Sequence, residues 1–475
     1  MQSIHKTAFS FNQPSADDRD YFIEILGEAR VLSDEQGLSA YGRDMTEDLF
    51  FPPAMVLKPE TAEQVSAILS RCNEKRIPVT AAGARTGLSG GSLPVHGGIA
   101  LSLERMNRIL HIDERNQQVM VEPGVITQTL QEAVAEKGLY YPPDPSSRGS
   151  CTIGGNLAEN AGGPHAVKYG VTKDFVLNLE VVLADGSRIW TGANTLKNST
   201  GYNFTQLMVG SEGTLGIITK AVLKLIPLPS RNVLMLAPFS SAQGASEAVA
   251  AIFRKGITPS ALEFMERDAI AIAMKYTGDY SISLPEGVEA HLLIELDGSD
   301  SEMLMNEAAK VAEVLEEFGV LDVLFADSES QKNALWNLRR KVGEAVKMES
   351  IYKEEDTVVP RFELPRLLAG VKEIGEKYHF RTVCYGHAGD GNLHVNILRD
   401  DIPKQVWEEK IPLAIREIFQ LTVSLGGTLS GEHGIGYVQK SYMDIAFNHL
   451  QINMMKDIKS VFDPQGILNP GKMFP

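Results

Sequence analysis

The sequence predicts an α+β protein built from two unlike halves. Glycines cluster in the first half, in three runs that adjoin strand-like stretches. After residue 230, strand-like and helical patterns alternate in the rhythm of a ferredoxin-like antiparallel sheet with helices on one face. Hydrophobic residues make up 43% and charged residues 22%, which is typical of a globular protein with a substantial core.

The chain has 475 residues, enough for two or three domains at roughly 100–200 residues each. A long strand-like stretch runs into Pro227 and Pro229, which marks a domain boundary. We therefore expect four parts: a helical lead-in over 1–48, a ligand-binding domain over 49–229, a sheet domain over 230–428 and a C-terminal segment over 429–475.

Charge and cysteine content exclude several classes of protein. The formal net charge is −16, which disfavours nucleic acid as a partner because phosphate contacts need a basic surface. The three cysteines, Cys72, Cys151 and Cys384, are far apart and form no CxxC pair, as expected in a reducing compartment. There is neither a signal-like N-terminal run nor an apolar stretch of ~20 residues. We expect a cytoplasmic protein without a transmembrane segment.

Local patterns place the elements of the first half. Strand-like stretches begin at Ala54–Lys58 and recur up to the hairpin signal Asp185-Gly186. Thr61 begins a helix with Gln64 three residues later, the pattern of a capping box. A second helix is expected over Thr127–Lys137 and ends at a glycine.

The second half is read in the same way. Strands are expected at Val233–Ala237, His291–Glu295, Asp322–Ala326, Thr382–Gly386 and Leu393–Leu398. Helices are expected near 246–253, 301–318, 330–347 and 406–425.

Three glycine-rich runs carry the first functional signal. They are Gly83–Gly91 after a strand, the longer segment Pro142–Gly170, and Gly210–Gly216. Glycines let a backbone approach a ligand closely, and successive N–H groups can bind a diphosphate. The spacing is neither that of a Rossmann fingerprint nor that of a P-loop. Each run alone is consistent with simple turns, but three together favour a ligand as large as a dinucleotide.

A histidine-containing hairpin carries the second signal. In Tyr385–Asn396, Asp390-Gly391 has the pattern of a two-residue turn, which would pair His387 with His394 on one face. Two converging imidazoles would suit a shared metal ion or would hydrogen-bond to each other, and the spacing leaves both open. Glu432 is the best candidate for a third metal ligand, giving a two-histidine, one-carboxylate set with an open position.

These segments resemble a known family. Ala81–Pro94, Thr152–Gly170 and Gly210–Ile218 are similar to the PCMH-type FAD-binding domain of the vanillyl-alcohol oxidase superfamily. The rest resembles the C-terminal domain of FAD-linked oxidases, in the branch of D-lactate dehydrogenase, glycolate oxidase and D-2-hydroxyglutarate dehydrogenase. The resemblance implies an FAD-dependent dehydrogenase for a small D-2-hydroxy acid, with a cap domain for the substrate and a C-terminal segment that returns to the flavin.

The resemblance also implies the roles of single residues. His433 would be the catalytic base, since an ordinary imidazole titrates near neutral pH. His387, His394 and Glu432 would bind a divalent ion, Zn or Mn. FAD would be held without a covalent bond by Gly83, Arg85, Thr86, Gly87, Leu88, Pro143, Thr152, Gly155, Asn156, Asn160, Gly162, Glu212, Ile218 and Asn469.

Arg339 would bind the substrate carboxylate, with Asn396 and Lys353 as further contacts. Hydroxyglutarate-type relatives carry a lysine where a gap-free alignment places Glu354, next to Lys353, and a threonine where this chain has Gly343. Both differences favour a substrate with one carboxylate, D-lactate or glycolate, over D-2-hydroxyglutarate.

Other functions remain open at this point. An oxidase would pass electrons to oxygen, an alkyl-dihydroxyacetone-phosphate synthase is a transferase of the same fold, and an electron-transfer subunit would need no catalytic residues. The electron acceptor is not determined: a quinone, a cytochrome, an electron-transfer flavoprotein and an iron–sulfur subunit are all compatible with the sequence. A homodimer is compatible with it too.

Overall fold

The computed structural model describes residues 10–475 except Ser281 and Ser283, so residues 1–9 of the expected lead-in lie outside the described residues. The chain forms two compact units. The first contains the residues up to Gly162, Gly170–Leu228 and Glu432–Pro475. The second contains Gly163–Tyr169 and Pro229–Gly431. The chain thus contributes Gly163–Tyr169 to the second unit, passes to it again after Leu228 and returns to the first unit at Glu432.

The strands in the described residues are β1 (Val31–Leu32), β2 (Met55–Leu57), β3 (Val79–Ala82), β4 (Ile99–Ser102), β5 (Ile109–Asp113), β6 (Gln118–Val121), β7 (Leu139–Tyr140), β8 (Val176–Val182), β9 (Arg188–Trp190), β10 (Ile217–Lys224), β11 (Ile226–Pro227), β12 (Arg231–Phe239), β13 (Ala261–Glu266), β14 (Ala290–Gly298), β15 (Leu324–Phe325), β16 (Tyr352–Val358), β17 (Arg381–Gly386) and β18 (Asn392–Leu398).

The α-helices in the same residues are α1 (Ala16–Leu26), α2 (Glu35–Ala40), α3 (Ala62–Lys75), α4 (Thr127–Ala135), α5 (Ile153–Glu159), α6 (Ala166–Tyr169), α7 (Phe204–Met208), α8 (Ala242–Arg254), α9 (Arg267–Thr277), α10 (Ser301–Glu316), α11 (Glu329–Glu349), α12 (Leu364–Tyr378), α13 (Lys404–Ser424), α14 (Met443–Ala446) and α15 (His449–Phe462).

The first unit contains a small mixed sheet of order β1-β2-β4-β3, in which β2, β4 and β3 are parallel. Strand β1 pairs antiparallel with β2, so the lead-in is not purely helical. Helix α3 begins as predicted, because the Thr61 side chain accepts a hydrogen bond from the Gln64 N–H. The apolar face of α3 packs with α1 and this sheet into one core.

A second sheet of the first unit is antiparallel, in the order β5-β6-β10-β8-β9. Strands β8 and β9 form the hairpin predicted around Asp185-Gly186, and Gly186 has the positive φ (+88°) that the turn requires. Its long strand β10 follows directly on the third glycine run. The sheets therefore hold two of the glycine runs at strand ends: the first after β3 and the third before β10.

The second unit is built on a seven-stranded antiparallel sheet, in the order β15-β12-β14-β13-β17-β18-β16. The prediction of helices on one face was wrong. In β14 every residue from Ala290 to Leu296 is buried, so both faces are covered. Helices α9 and α11 pack on one face, and α8, α10 and α12 cover the other. A strand buried on both faces shows a continuous apolar run instead of apolar–polar alternation, and Leu292-Leu293-Ile294 in β14 is such a run.

Strands β13 and β16 and helices α9 and α12 were not predicted. Both strands carry charged residues at buried positions: Glu263 and Glu266 in β13, and Glu355 and Asp356 in β16. From polarity alone, such charged positions are predicted to be exposed to solvent. Among the described helices, none combines the length and the apolar character needed to cross a bilayer.

Candidate active site

The first glycine run, Gly83–Gly91, forms a loop after β3 that we call the glycine loop. In the described part of the chain, the backbone N–H groups of Arg85, Thr86, Gly87 and Leu88 donate no hydrogen bond. Arg85 has a left-handed φ of +58°. Successive unpaired amides beside a left-handed residue are typical of an anion-binding nest. The glycine loop therefore fits a diphosphate.

The second run lies against the glycine loop. A Cβ on Gly83 would approach the Oγ1 of Thr152 to 2.5 Å, so the two backbones are in close contact. Thr152 begins α5 by accepting a hydrogen bond from the Gly155 N–H at 3.3 Å. The Nδ2 of Asn156 donates to Thr127 at 2.8 Å. The Thr152 hydroxyl thus supports the backbone of α5, Asn156 joins it to the Thr127 side chain, and glycine at position 83 is needed to bring the runs together.

Asn469 joins the first and third runs. Its Nδ2 donates to the carbonyl of Gly91 at 3.0 Å and to that of Glu212 at 2.7 Å. All the residues predicted to contact FAD lie in the first compact unit. Pro143 is buried, and Ile218 is at the start of β10.

The carboxylate of Glu212 is buried within the first unit, where it accepts hydrogen bonds from the N–H groups of Ile435 and Gly436 at 2.8 and 2.7 Å. Burial raises the pKa of Glu212, and these two hydrogen bonds partly offset the rise. The side chain thus holds the loop 432–436, which is a different task from the contact with FAD that the sequence predicts.

Two further charged residues surround Glu212 and were missed in the sequence. Burial raises the pKa of Glu159, and the nearby Glu212 carboxylate adds to the rise. Burial lowers the pKa of Lys472 to about 7. The Nζ of Lys472 donates to the carbonyls of Gly91 and Leu93 at 3.1 and 2.6 Å. A lone carboxylate in the glycine-rich helix α5 was a signal for Glu159, but nothing local marks Lys472 as buried.

Glu432 and His433 lie on the loop 432–436 of the first unit. The Tyr437 N–H at the end of this loop donates to the carbonyl of Ser89 in the glycine loop at 2.8 Å. A Cβ on Gly162 would be 3.0 Å from Oε2 of Glu432. The predicted base and the predicted carboxylate ligand are therefore held among the glycine runs that are predicted to bind the flavin.

In the second unit, polar side chains share one face of the seven-stranded sheet. Strand register places Glu354 opposite Asn396 and Asp356 opposite His394, and residues that are directly opposite point to the same side. Glu263 lies on this face of β13, and all five residues are almost completely buried. Buried polar groups need partners, so this face is organised for binding.

The predicted hairpin register was wrong. Strand β17 ends at Gly386, a short 3₁₀ turn follows, and His394 pairs with Tyr385 rather than with His387. Gly391 adopts a positive φ, and a Cβ there would collide with the carbonyl of Val359. The neighbouring segment at Val359 therefore requires a glycine at position 391, the residue that had suggested a two-residue turn.

The two imidazoles nevertheless lie close together. The ring centroids of His387 and His394 are 5.4 Å apart with their planes 84° to each other. The Nδ1 of His387 lies 2.8 and 2.9 Å from the two carboxylate oxygens of Glu263. The Nδ1 of His394 lies 3.8 Å from Glu354 and 3.7 Å from Asp356. Two imidazoles supported by carboxylates are a donor set that fits a divalent metal.

Helix α11 covers this polar face with residues at helical spacing. Arg339 pairs with Glu263, its Nη2 lying 2.5 Å from Oε2. One turn later, a Cβ on Gly343 would be 3.0 Å from the hydroxyl of Tyr385, so a larger residue would press on that ring. The hydroxyl donates to Glu354 at 3.1 Å. Gly343 and Glu354, the two departures from hydroxyglutarate-type relatives, thus meet at one tyrosine.

Two predicted substrate contacts carry unused hydrogen-bonding atoms. Among the described residues, the Nε of Arg339 and both amide atoms of Asn396 have no partner at hydrogen-bonding distance and angle. The Arg339 side chain is only 3% exposed, and Asn396 is fully buried. Lys353 is not brought together with them, because it adjoins Glu354 in β16 and successive strand residues point to opposite faces.

Comparison with known proteins gives a family match for each half of the chain. Residues 53–192 match the family model described as an FAD binding domain, and residues 228–473 match that of the C-terminal domain of FAD linked oxidases. The chain is 39% identical over 459 residues to glycolate oxidase subunit GlcD of Bacillus subtilis, covering 96% of this chain and 97% of that protein. It is 36% identical over 475 residues to the D-lactate dehydrogenase of Anaerostipes hadrus, covering 98% of both chains.

Among solved structures, substrate-bound p-cresol methylhydroxylase superposes with a TM-score of 0.79 at 20% identity, over 96% of this chain and 95% of that one. This likeness establishes a PCMH-type fold. The fold and the two family models define an FAD-dependent oxidoreductase. The chain belongs to the FAD-linked oxidase family, and its relatives act on hydroxy acids.

Proposed function

We propose that the protein oxidises a small 2-hydroxy acid with one carboxylate, D-lactate or glycolate, to the 2-oxo acid with the help of a divalent metal. The observation that carries this proposal is the unused Nε of Arg339, buried beside the metal-type pair His387 and His394. A buried guanidinium with a spare donor is matched to a carboxylate ligand. The names of the relatives point to the same substrates.

Each residue group has a task in this reaction. Arg339 and Asn396 would hold the substrate carboxylate and hydroxyl by direct hydrogen bonds. His433 would accept the hydroxyl proton while the hydride leaves the adjacent carbon. FAD, when bound, supplies the acceptor for that hydride.

A divalent metal would supply Lewis-acid stabilisation of the substrate oxygens. We propose His387, His394 and Glu432 as its ligands. Two observations support this set: the imidazoles are close, and Gly431, which directly precedes Glu432 in the chain, donates its N–H to Asp356 at 2.8 Å on the same polar face as His394.

Glu354 supports the preference for one carboxylate. It lies directly opposite Asn396, and only 5% of its side chain is exposed. Its Oε2 lies 3.5 Å from the Nζ of Lys347, so this cation is already paired with Glu354. A second carboxylate on the substrate would have to share that cation with Glu354, and like charges brought together cost several kcal/mol.

Anaerobic flavin bleaching tests the proposal. Purified enzyme is mixed with D-lactate, L-lactate, glycolate or D-2-hydroxyglutarate, with and without a chelator, and the flavin absorbance is followed. We expect bleaching by D-lactate or glycolate and slower bleaching after metal removal. Failure of every 2-hydroxy acid would overturn the proposal, and a preference for D-2-hydroxyglutarate would overturn the single-carboxylate part. Comparing dye reduction with peroxide production separates a dehydrogenase from an oxidase.

A further inference from the structure

Glu263 lies in the middle of β13 and none of its surface is exposed. Its carboxylate contacts two different side chains. One is the Nδ1 of His387, at 2.8 and 2.9 Å, and the other is the Nη2 of Arg339, at 2.5 Å. One buried carboxylate therefore contacts both a proposed metal ligand and the proposed substrate clamp.

Physical chemistry requires these partners. The Glu263 carboxylate has no exposed surface, and the Arg339 guanidinium and the His387 imidazole are the groups that lie against it. A buried anion left without compensation is costly. The contacts are thus the condition under which a carboxylate can be buried at this position.

The contact with His387 determines which ring nitrogen can bind a metal. A carboxylate on Nδ1 fixes the proton there, so the lone pair is on Nε2. Histidine ligands of metal sites commonly use such a carboxylate partner, and losing it typically weakens metal affinity 10- to 100-fold.

The contact with Arg339 determines how the guanidinium is oriented. The group is a rigid planar fork, so fixing one nitrogen against Glu263 fixes the direction of the others. The Nε, which has no partner among the described residues, is then held in a set direction. A carboxylate bound there would meet donors that are already oriented.

We propose that Glu263 is a positioning residue that sets both the ring nitrogen that His387 offers to a divalent cation and the orientation in which Arg339 meets the substrate carboxylate. This inference rests on the proposed function. It adds that one side chain, which contacts neither substrate nor metal, controls the affinity for both.

Glu263→Gln in the FAD-loaded full chain tests the inference. Glutamine keeps the shape, but its NH₂ group cannot accept from either donor. After metal removal, Mn²⁺ is titrated and the free ion is measured by electron paramagnetic resonance. KM and kcat for D-lactate and glycolate are then measured at saturating Mn²⁺. We expect Mn²⁺ affinity to fall about 10- to 100-fold, and KM to rise more than kcat falls.

Glu266→Gln is the matched control. Glu266 is three residues further along β13, so it faces the opposite side of the sheet. It is also buried, and it accepts from Lys372 and from the Cys384 N–H, both at 2.7 Å. We expect this variant to lose thermal stability with Mn²⁺ affinity and KM unchanged. If both variants lose similar stability while Mn²⁺ affinity and KM stay at the wild-type values, the role of Glu263 is only structural and the inference is overturned.

Glu263→Gln leaves Arg339 buried without a counter-charge. If that variant does not fold for this reason, a second variant tests the inference. Glu263→Gln combined with Arg339→Met removes both charges and should fold. Weakened Mn²⁺ binding in this pair supports the inference, and wild-type binding overturns it. Failure of the proposed function gives a different result: the wild-type enzyme itself would then bind no Mn²⁺ or oxidise no 2-hydroxy acid.

Discussion

Two sets of buried polar side chains, one in each compact unit, have different kinds of partner. In the first unit, Glu212, Asn469 and Lys472 all bond to backbone N–H or C=O groups, so these side chains shape loops. In the second unit, Glu263 and Glu354 bond to other side chains, so they orient functional groups. Both sets of side chains are buried, but the first set positions backbone loops and the second set positions other side chains.

This difference indicates how each ligand is recognised. A flavin bound largely by backbone amides, as the resemblance implies, would depend on the absence of side chains, which is consistent with the three glycine runs of the first unit. A hydroxy acid bound by a guanidinium and an amide, as proposed above, would depend on side-chain identity. The first unit should therefore be sensitive to added atoms, and the second to exchanged functional groups.

The largest expected effect follows from exchanging the substrate clamp. Arg339→Lys keeps the charge beside Glu263 but loses the planar fork, so we expect kcat/KM for D-lactate or glycolate to fall about 100-fold, within the 2–5 kcal/mol range for disturbing a buried charge pair. Flavin content, read from absorbance, should not change. Arg340→Lys, the next residue of α11, is the control. Equal losses in both variants would contradict a specific role for Arg339.

Adding one methyl group to the glycine loop tests the first unit. In the described residues a Cβ on Gly87 would meet no atom within 4 Å, so Gly87→Ala should fold normally. It should still weaken FAD binding about tenfold, roughly 1.4 kcal/mol, because the methyl would stand between ligand and backbone. Fluorescence titration of the flavin-free protein measures this. Gly298→Ala in β14 should leave FAD affinity unchanged, and wild-type affinity in Gly87→Ala would contradict backbone recognition at this residue.

Neutralising the buried carboxylate opposite Asn396 should shift specificity. In Glu354→Gln we expect the ratio of kcat/KM for D-2-hydroxyglutarate to that for D-lactate to rise about tenfold, since repulsion of a second carboxylate is removed. Lys353→Gln distinguishes the two neighbours. A change of the ratio only in Lys353→Gln would assign the second-carboxylate position to Lys353, against both the gap-free alignment and the strand geometry.

The smallest expected effect concerns Lys472. Its folded-state pKa of about 7 is below the ordinary value of 10.5. Below pH 7 the folded protein must hold a buried ammonium, which costs stability. Between pH 7 and 10.5 the unfolded chain binds a proton that the folded chain does not, so stability rises with pH. From urea unfolding at pH 6.5 and 8.5, we expect a rise on the order of 1 kcal/mol that is reduced in Lys472→Met. An equal rise in both proteins would count against a buried charged Lys472.

Particular residues show which structural features could be predicted from the sequence and which could not. Thr61 predicted the start of α3, because an N-cap hydrogen bond needs only neighbours in the chain. The pair Asp390-Gly391 misled, because the carbonyl of Val359, which follows β16 and is remote in the sequence, requires the glycine. Glu263, Glu159 and Lys472 were missed because burial of a charge depends on partners that are remote in the chain.

The sequence by itself determined the flavoprotein class, the three glycine runs and the chemically distinctive residues His387, His394 and Arg339. Such features are local: residue types and short spacings carry them. Only the tertiary structure decided that Glu263 contacts both His387 and Arg339, that Glu354 and not Lys353 shares a face with Asn396, and that Glu212 holds the loop of His433. The physical reason is that strand register and buried charge compensation join residues far apart in the chain, which no local pattern records.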